Sequence, residues 1–432
     1  MTEVSLREAI AIWWRIGVLS FGGPAGQIAL MHRVIVEEKR WLDEARFLHA
    51  LNYCMLLPGP EAQQLATYVG WLLHGVRGAL VAGILFILPG AVAILALSWL
   101  YVLYADLSLV AGIFFGMKAA VLAIVSQALI RIARRALKGA LHIGLAIAGF
   151  LALFVFAIPF PIVVLSAATI AFASARLRPM TAQEAEPETE QLLTPADYSG
   201  TTRAALICLA LWLVTIAALH LLLGSSSPFT QIGDFFSRMA VVSFGGAYAV
   251  LSYVAQQAVE QYHWLAPGEM LDGLGLAETT PGPLILVTQF VGFMGAWRGT
   301  GTESSLLIAS AGALLTTWVT FLPCFLWIFA GAPYVERLRQ HRALAQALAG
   351  ITAVVVGVIA NLALWFALNF LFAETIALSS GFVDMQWPVL SSINWPNVLL
   401  SAIAFALLFI ARINMLAMLG TCALLGMMWT LL

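Results

Sequence analysis

Two tetrapeptides, Ser20-Phe21-Gly22-Gly23 and Ser243-Phe244-Gly245-Gly246, stand 223 residues apart in strongly apolar sequence. A tripeptide follows each at the same distance, Pro58-Gly59-Pro60 in the first case and Pro281-Gly282-Pro283 in the second. Glycine permits a backbone reversal that other residues resist, and proline can begin an outgoing helix without needing its N–H. Non-helical backbone at membrane depth survives only when buried in protein or lining a wet cavity. The four segments therefore read as hairpin tips whose broken helices form a binding site for a transported solute. Glycine used simply for close helix packing is the alternative. Two aligned copies, each followed by an aligned Pro-Gly-Pro, favour the site.

Covalent chemistry has less support. No HExxH, GxSxG, Walker A or GxGxxG pattern occurs. Cys54, Cys208, Cys324 and Cys422 are widely spaced, lack a CxxC and read as buried thiols. His32, His49, His74 and His263 lie near loop ends without ligand spacing, so no metal or cofactor is expected. An intramembrane enzyme acting on lipid or phosphate esters would have to use Glu61 with Glu278, the carboxylates beside opposite Pro-Gly-Pro turns.

The elements that must position these tips are membrane helices. Of 432 residues, 62% are hydrophobic and 10% charged, against about a quarter charged in a soluble domain. Apolar runs near 20 residues, such as Val81 to Tyr101, Gly139 to Ala157 and Ala204 to Leu223, are each long enough to cross a bilayer core. An all-α polytopic membrane protein is the predicted class. The first residues, MTEVSLREAI, lack a signal-peptide pattern, so insertion is expected to rely on the first membrane segments. A net charge of −1 points to no charged partner, and no nucleic acid is expected.

Sliding the chain by 223 residues also superposes Arg15 on Arg238 and Trp41-Leu42 on Trp264-Leu265. After an insertion near WRGTGTESS the offset becomes 234, matching Leu88-Pro89 to Leu322-Pro323 and Gly116 to Gly350. The predicted organisation is a first repeat at 5–176, an acidic polar linker at 177–202, an extra transmembrane helix at 203–224 and a second repeat at 228–432. Basic residues gather in short cytoplasmic loops. Arg33, Lys39, Arg40 and Arg46 lie in one loop whose partner at 255–269 has none. Residues 99–108 have none, while their partner holds Arg337, Arg339 and Arg342. Arg131, Arg134, Arg135 and Lys138 have no basic counterparts in 373–396. The bias flips at each comparison, so the repeats are predicted to be inverted. Nine crossing helices plus four re-entrant hairpins accommodate these charges; thirteen full crossings are the alternative. Inverted repeats with broken helices at the midplane are a common secondary-transporter architecture. Trp13, Trp14, Trp41, Trp71 and Trp264 are expected at bilayer interfaces.

The stretches SFGGPAGQIALMHRVIVEEKRWL, LNYCMLLPGPEAQQLATYVGWLLHG and ETTPGPLILVTQFVGF resemble the chromate ion transporter family, in its long two-domain form and over nearly the whole chain. The resemblance implies a multi-pass protein of the bacterial inner membrane that exports chromate, confers chromate resistance and recognises sulfate, the tetrahedral isostere, as an alternative cargo. The expected partners are then chromate or sulfate, the lipid bilayer and a second copy of the chain in a homodimer. Repeat two departs from repeat one where Ala247 replaces Pro24, Val250 replaces Gln27, and Leu284, Leu286 and Val287 replace Glu61, Gln63 and Gln64.

A dianion needs hydrogen-bond donors and positive potential. Helix N-termini offer both, on the order of half a charge each, and the outgoing halves after Gly23, Pro60, Gly246 and Pro283 would bring four. Arg15 and Arg238 could add a symmetric fork, or each could snorkel outward. Lys118 could serve anion passage or pair with a local carboxylate. Ser20 and Ser243 stand at the tips, Asn52, Gln63, Gln64 and Thr67 flank the first Pro-Gly-Pro, and Thr279, Thr280, Thr288 and Gln289 flank the second. These polar side chains either bind the anion or join helices. Glu61 and Glu278 are candidates for coupling proton movement to transport, with helix capping the other role open to Glu61.

Overall fold

The computed structural model describes residues 4–177, 198–244, 246–301, 305–332, 342–380 and 383–431. Most of the acidic linker, Gly245 and the basic residues Arg337 and Arg339 lie outside the described residues. The chain is built from helices α1 (Leu6–Leu19), α2 (Gly23–His32), α3 (Glu44–Cys54), α4 (Glu61–Tyr104), α5 (Ser108–Ala136), α6 (Ala140–Phe154), α7 (Phe160–Leu177) and α8 (Tyr198–Leu223). The second half holds α9 (Pro228–Val242), α10 (Ala247–Gln256), α11 (Glu269–Thr279), α12 (Val287–Gly299), α13 (Leu306–Gly331), α14 (Arg342–Leu371), α15 (Trp395–Phe405) and α16 (Met415–Leu431).

Helix α1 begins where the Ser5 hydroxyl accepts the Glu8 N–H, and α3 where the Asp43 carboxylate accepts the Arg46 N–H. The chain reverses after Leu19 and returns through α2 and a π-helical turn at Arg33–Glu38. Lys39 Nζ stands 2.8 Å from Glu8 Oε1, so the outer ends of this hairpin meet. The segment α3, the Pro-Gly-Pro turn and the first part of α4 form a second hairpin. Helix α4 then breaks at His74 and Gly75, where Gly75 has φ +60°. The two parts of α4 fold back on each other so closely that a Cβ on Gly70 would lie 2.3 Å from the Gly78 carbonyl. Only glycine permits that approach.

The backbone itself repeats at the offset found in the sequence. π-Helical turns occur at Arg33–Glu38 and Gln257–Gln261. Positive φ occurs at Arg40 and His263, at Gly23 and Gly246, and at Gly59 and Gly282. Pro89 and Pro323 lie inside the long helices α4 and α13. The last helix of each half packs on the other half: a Cβ on Gly116 of α5 would strike the Cys422 carbonyl of α16, and one on Gly350 of α14 the Ala171 side chain of α7.

Contacts also give directions. Gly90 of α4 meets the Pro281 carbonyl, while Tyr101 further along α4 donates to Asp272 near the start of α11. Helix α4 after its break therefore runs antiparallel to α11 and parallel to α3. The equivalent arms α3 and α11 approach the middle of the molecule from opposite sides, as inverted repeats require. Single cysteines at Glu37 and Gln261 in a chain lacking Cys54, Cys208, Cys324 and Cys422 are accordingly expected to label from opposite faces of a membrane with an impermeant maleimide. Labelling from one face would overturn the inversion.

Two features differ from the expectation. Residues Thr375–Ser380 and Val383–Pro388 form an antiparallel β-hairpin, β1 and β2, with Thr375 opposite Pro388 and Ser380 opposite Val383. Asp384 N–H donates to the Val155 carbonyl after α6. This short, partly polar segment between apolar helices satisfies its backbone by pairing with itself. Trp13, Trp41, Trp71 and Trp264 pack inside the fold rather than facing headgroups, each under 7% exposed. Trp71 stacks on Tyr68 and donates to Thr201, and Trp264 stacks on Tyr262. The indole bodies fill helix crossings, while Trp14 alone of the five is largely exposed.

Candidate functional site

The four tips meet in two crossed pairs. Gly59 N–H of the first Pro-Gly-Pro donates to the Ser243 carbonyl at 2.8 Å, and Gly282 N–H of the second donates to the Ser20 carbonyl at 2.8 Å. Each Pro-Gly-Pro turn also leans on the proline-bearing helix of the opposite half. A Cβ on Gly59 would come within 2.9 Å of Cys324 Sγ, and one on Gly282 within 3.3 Å of Gly90 Cα. Gly59 and Gly282 have φ of +124° and +91°. Positive φ and close approach together require glycine at both positions.

Side chains extend this seam. Gln27 Nε2 donates to the Gly282 carbonyl at 2.6 Å, and Gln64 Nε2 to the Pro58 carbonyl at 2.7 Å. Gln63 Nε2 donates to Thr67 Oγ1, which donates to the Gln63 carbonyl. Gln289 bridges Ala91 and Thr317. Gln63, Gln64, Thr67 and Gln289 are fully buried. Ser20, Ser243, Thr279, Thr280 and Thr288 each donate to a carbonyl in their own helical turn. A hydroxyl used this way presents lone pairs to its neighbours, whereas an oxyanion needs donors. Phe21 and Phe244 close the two tips with matching N–H bonds to Leu19 and Val242. Asn52 is exposed on α3.

The remaining donors are backbone. Gly22, Pro60, Gly246 and Pro283 precede outgoing helical turns, and no side chain caps any of the four. The N–H groups of a first helical turn have no intrahelical partner. A cavity of about 10 Å³, lined by Gly59, Pro60, Ser243, Gly246, Ala247 and Thr320 among others, lies between the two helix starts. It has room for roughly one water. The Glu61 carboxylate projects from the start of α4 towards the start of α10, with Oε1 3.6 Å from where a Cβ on Gly246 would stand. Glu278 is buried at 3% exposure and accepts the Tyr248 hydroxyl at 2.6 Å.

The charged candidates separate. Arg15 points away from its tip, Nη1 lying 3.1 Å from Glu38 Oε2 near the outer end of the hairpin. Arg238 is 75% exposed and leans 3.8 Å from Asp234, a turn further from Ser243. The structure does not bring the pair together as a fork, and outward-reaching side chains are the arrangement it matches. Lys118 pairs across the repeats with Asp272 at 3.2 Å, and Tyr101 donates to the same carboxylate oxygen at 3.0 Å. Sequence comparison overlooked Gln27, Tyr248, Asp272 and Thr317 as elements of this centre. A glutamine and an aspartate inside apolar helices were the available signals.

Broken helices meeting inside a bundle of long apolar ones define an all-α polytopic membrane protein built around a central backbone seam. The chain belongs to the chromate transporter family, whose model matches residues 7–172 and 230–427. It is similar to a chromate transport protein of Pseudomonas aeruginosa, 30% identical over 82% of this chain and 80% of that one. A chromate transport protein of Cupriavidus metallidurans is 28% identical over 82% and 81% of the two chains. An uncharacterised transporter of Methanocaldococcus jannaschii is 24% identical over 82% of each. No solved structure matches the chain.

Proposed function

We propose that this protein is a secondary-active chromate exporter of a bacterial inner membrane that works by alternating access and confers chromate resistance. The observation that carries the reading is the crossed pair of backbone hydrogen bonds, Gly59 to Ser243 and Gly282 to Ser20, which gathers uncapped helix starts from both halves. The relatives named chromate transport proteins support the cargo. In this reading the first-turn N–H groups of α4 and α10 bind the dianion and the small cavity between them widens to admit it. Partial charges on helix ends suit a ligand that must also leave.

The repeats are 5–176 and 228–432, and α8 adds the crossing that delivers the second repeat to the opposite face. In this reading the nine crossings are supplied by the five long apolar helices and four shorter ones found among the described residues. The other four segments are re-entrant hairpins. Tyr248 with Glu278, and Glu61 beside α10, are the groups through which proton movement couples to the anion. An ionised carboxylate at this depth is costly, so anion entry and carboxylate charge oppose one another.

The test is flux into liposomes holding the purified chain, with pH and sulfate gradients imposed separately. Chromate accumulation driven by the pH gradient, with chromate recovered unchanged, is expected. Sulfate accumulation without chromate flux would make sulfate the cargo, and a chemically altered product would replace transport with catalysis.

A further inference from the structure

The two halves contain the same arms but bury them differently. Helix α11 is buried continuously from Met270 to Glu278. Its counterpart α3 leaves Leu48, Asn52 and Met55 exposed along one face. On the returning arm, Gly22, Gly26 and Ala29 are exposed, whereas Ser252, which corresponds to Ala29, is buried. Thr279 is exposed between the buried Glu278 and Thr280. Exposed irregular backbone within a membrane must line water; Gly22 is such backbone, and the exposed polar residues Asn52 on α3 and Thr279 at the end of α11 extend it, so the three mark a wet vestibule. It opens towards the Arg33–Arg46 loop, the side that the positive-inside rule makes cytoplasmic.

Helix α5 overhangs this vestibule. Met117 and Val121 pack on Gly275, and Lys118 on Gly268 and Asp272, so α5 runs parallel to α11. From Val121 it continues about 15 Å to Arg131, past the end of α11 at Thr279. Arg131 and Arg135 are one turn apart on one face and both are exposed. Arg131 commits one nitrogen to Gln127 at 3.1 Å, which leaves the rest of its planar fork free to donate.

The corresponding positions of the second repeat lack this arrangement. At the 234-residue offset, Arg131 corresponds to Trp365 and Arg135 to Asn369. Trp365 Nε1 donates to Glu260 at 3.3 Å, and Asn369 donates to the Trp365 carbonyl. A cavity of about 130 Å³ there is lined by Gln256, Glu260, Asn361 and Asp384 among others. A dianion therefore meets two guanidinium groups at one mouth and carboxylates at the other.

We propose that Arg131 and Arg135 form a capture site for the tetrahedral dianion at the mouth of the vestibule, set apart from the helix-end site and absent from the other face. This deepens the transport reading given above and rests on it. Capture raises the local anion concentration before binding, while Glu260 and Asp384 oppose re-entry after release. Steering of this kind acts on encounter and weakens with salt.

The experiment compares the unaltered chain with Arg131→Gln/Arg135→Gln and Arg131→Lys/Arg135→Lys, reconstituted in liposomes of neutral phosphatidylcholine and normalised to protein inserted with its cytoplasmic face outward. Initial chromate uptake is measured against concentration at low and high ionic strength. The glutamine pair is expected to raise KM by about tenfold at low salt, the lower end of electrostatic steering effects, with maximal rate within about twofold. The salt dependence of KM should largely vanish in that pair and return in the lysine pair. An unchanged KM and salt slope overturns the capture site, as does a fall in maximal rate at constant KM. An effect that appears only when anionic phosphatidylglycerol is added assigns the arginines to lipid headgroups and also overturns it. If the unaltered chain carries neither chromate nor sulfate, the transport reading itself fails; normal flux with unshifted variants removes the capture site alone.

Discussion

Replacing Gly59 by valine is expected to reduce chromate flux to background while the protein still inserts and remains monodisperse in detergent. At φ +124° a β-branched residue is strained whatever surrounds it. Here there is no room either, because a Cβ would lie 2.7 Å from Gln64 Nε2 and 2.9 Å from Cys324 Sγ. Relief requires the turn to move, which stretches the bond from Gly59 N–H to the Ser243 carbonyl and shifts the start of α4 against that of α10. A displacement of about 1 Å in a positioning group can cost roughly 100-fold in rate. Gly22 provides the contrast. Its φ is +86°, but a Cβ there would meet nothing within 4 Å. Gly22→Val should therefore lose activity through backbone strain alone, and Gly22→Asn should keep most of it because asparagine visits the left-handed region. Flux per inserted protein in proteoliposomes distinguishes the cases. Full activity in Gly59→Val would move the site away from the crossed tips.

The second large effect is on stability. Lys118→Met leaves Asp272 buried at 4% side-chain exposure without its cation, with only the Tyr101 hydroxyl on Oδ2. Asp272 Oδ1 already has no partner among the described residues. Breaking a buried pair from one side typically costs about 3–5 kcal/mol, whereas replacing both partners by apolar groups is often neutral or better. Lys118→Met is thus expected to lower the thermal unfolding midpoint in detergent sharply, and Lys118→Met/Asp272→Leu to recover most of the loss. The double variant also decides between roles. If Lys118 serves only to neutralise Asp272, the chromate KM of the double variant matches that of the unaltered chain. A raised KM with restored stability would return Lys118 to the anion path.

Much of this molecule was legible without coordinates, and the legible part is local. Apolar runs of bilayer length dictate helices because an unpaired backbone is intolerable in lipid. Gly22, Gly59, Gly246 and Gly282 break those helices, and the coordinates show positive φ at all four. The 223-residue repeat was likewise visible, and with it the matched tips.

What the tertiary structure alone decided concerns residues distant in the chain or the direction in which a long side chain leaves its helix. Gln27 and Gly282 are 255 residues apart, and no local pattern pairs them. Lys118 found Asp272 because the inverted packing of the halves brings α5 to α11, and Tyr248 found Glu278 because α10 folds back against α11 within the second half. Arg15 and Arg238 are symmetric in sequence, yet each turns towards a carboxylate of its own repeat and away from the tip. A guanidinium on a flexible stem goes where nearby charge and water place it, and the residues around it, such as Glu38 in one half and Gln261 in the other, are not repeated. Periodicity specifies which face and depth a residue occupies; which group it meets there depends on the packing of helices that the chain joins only through distant contacts.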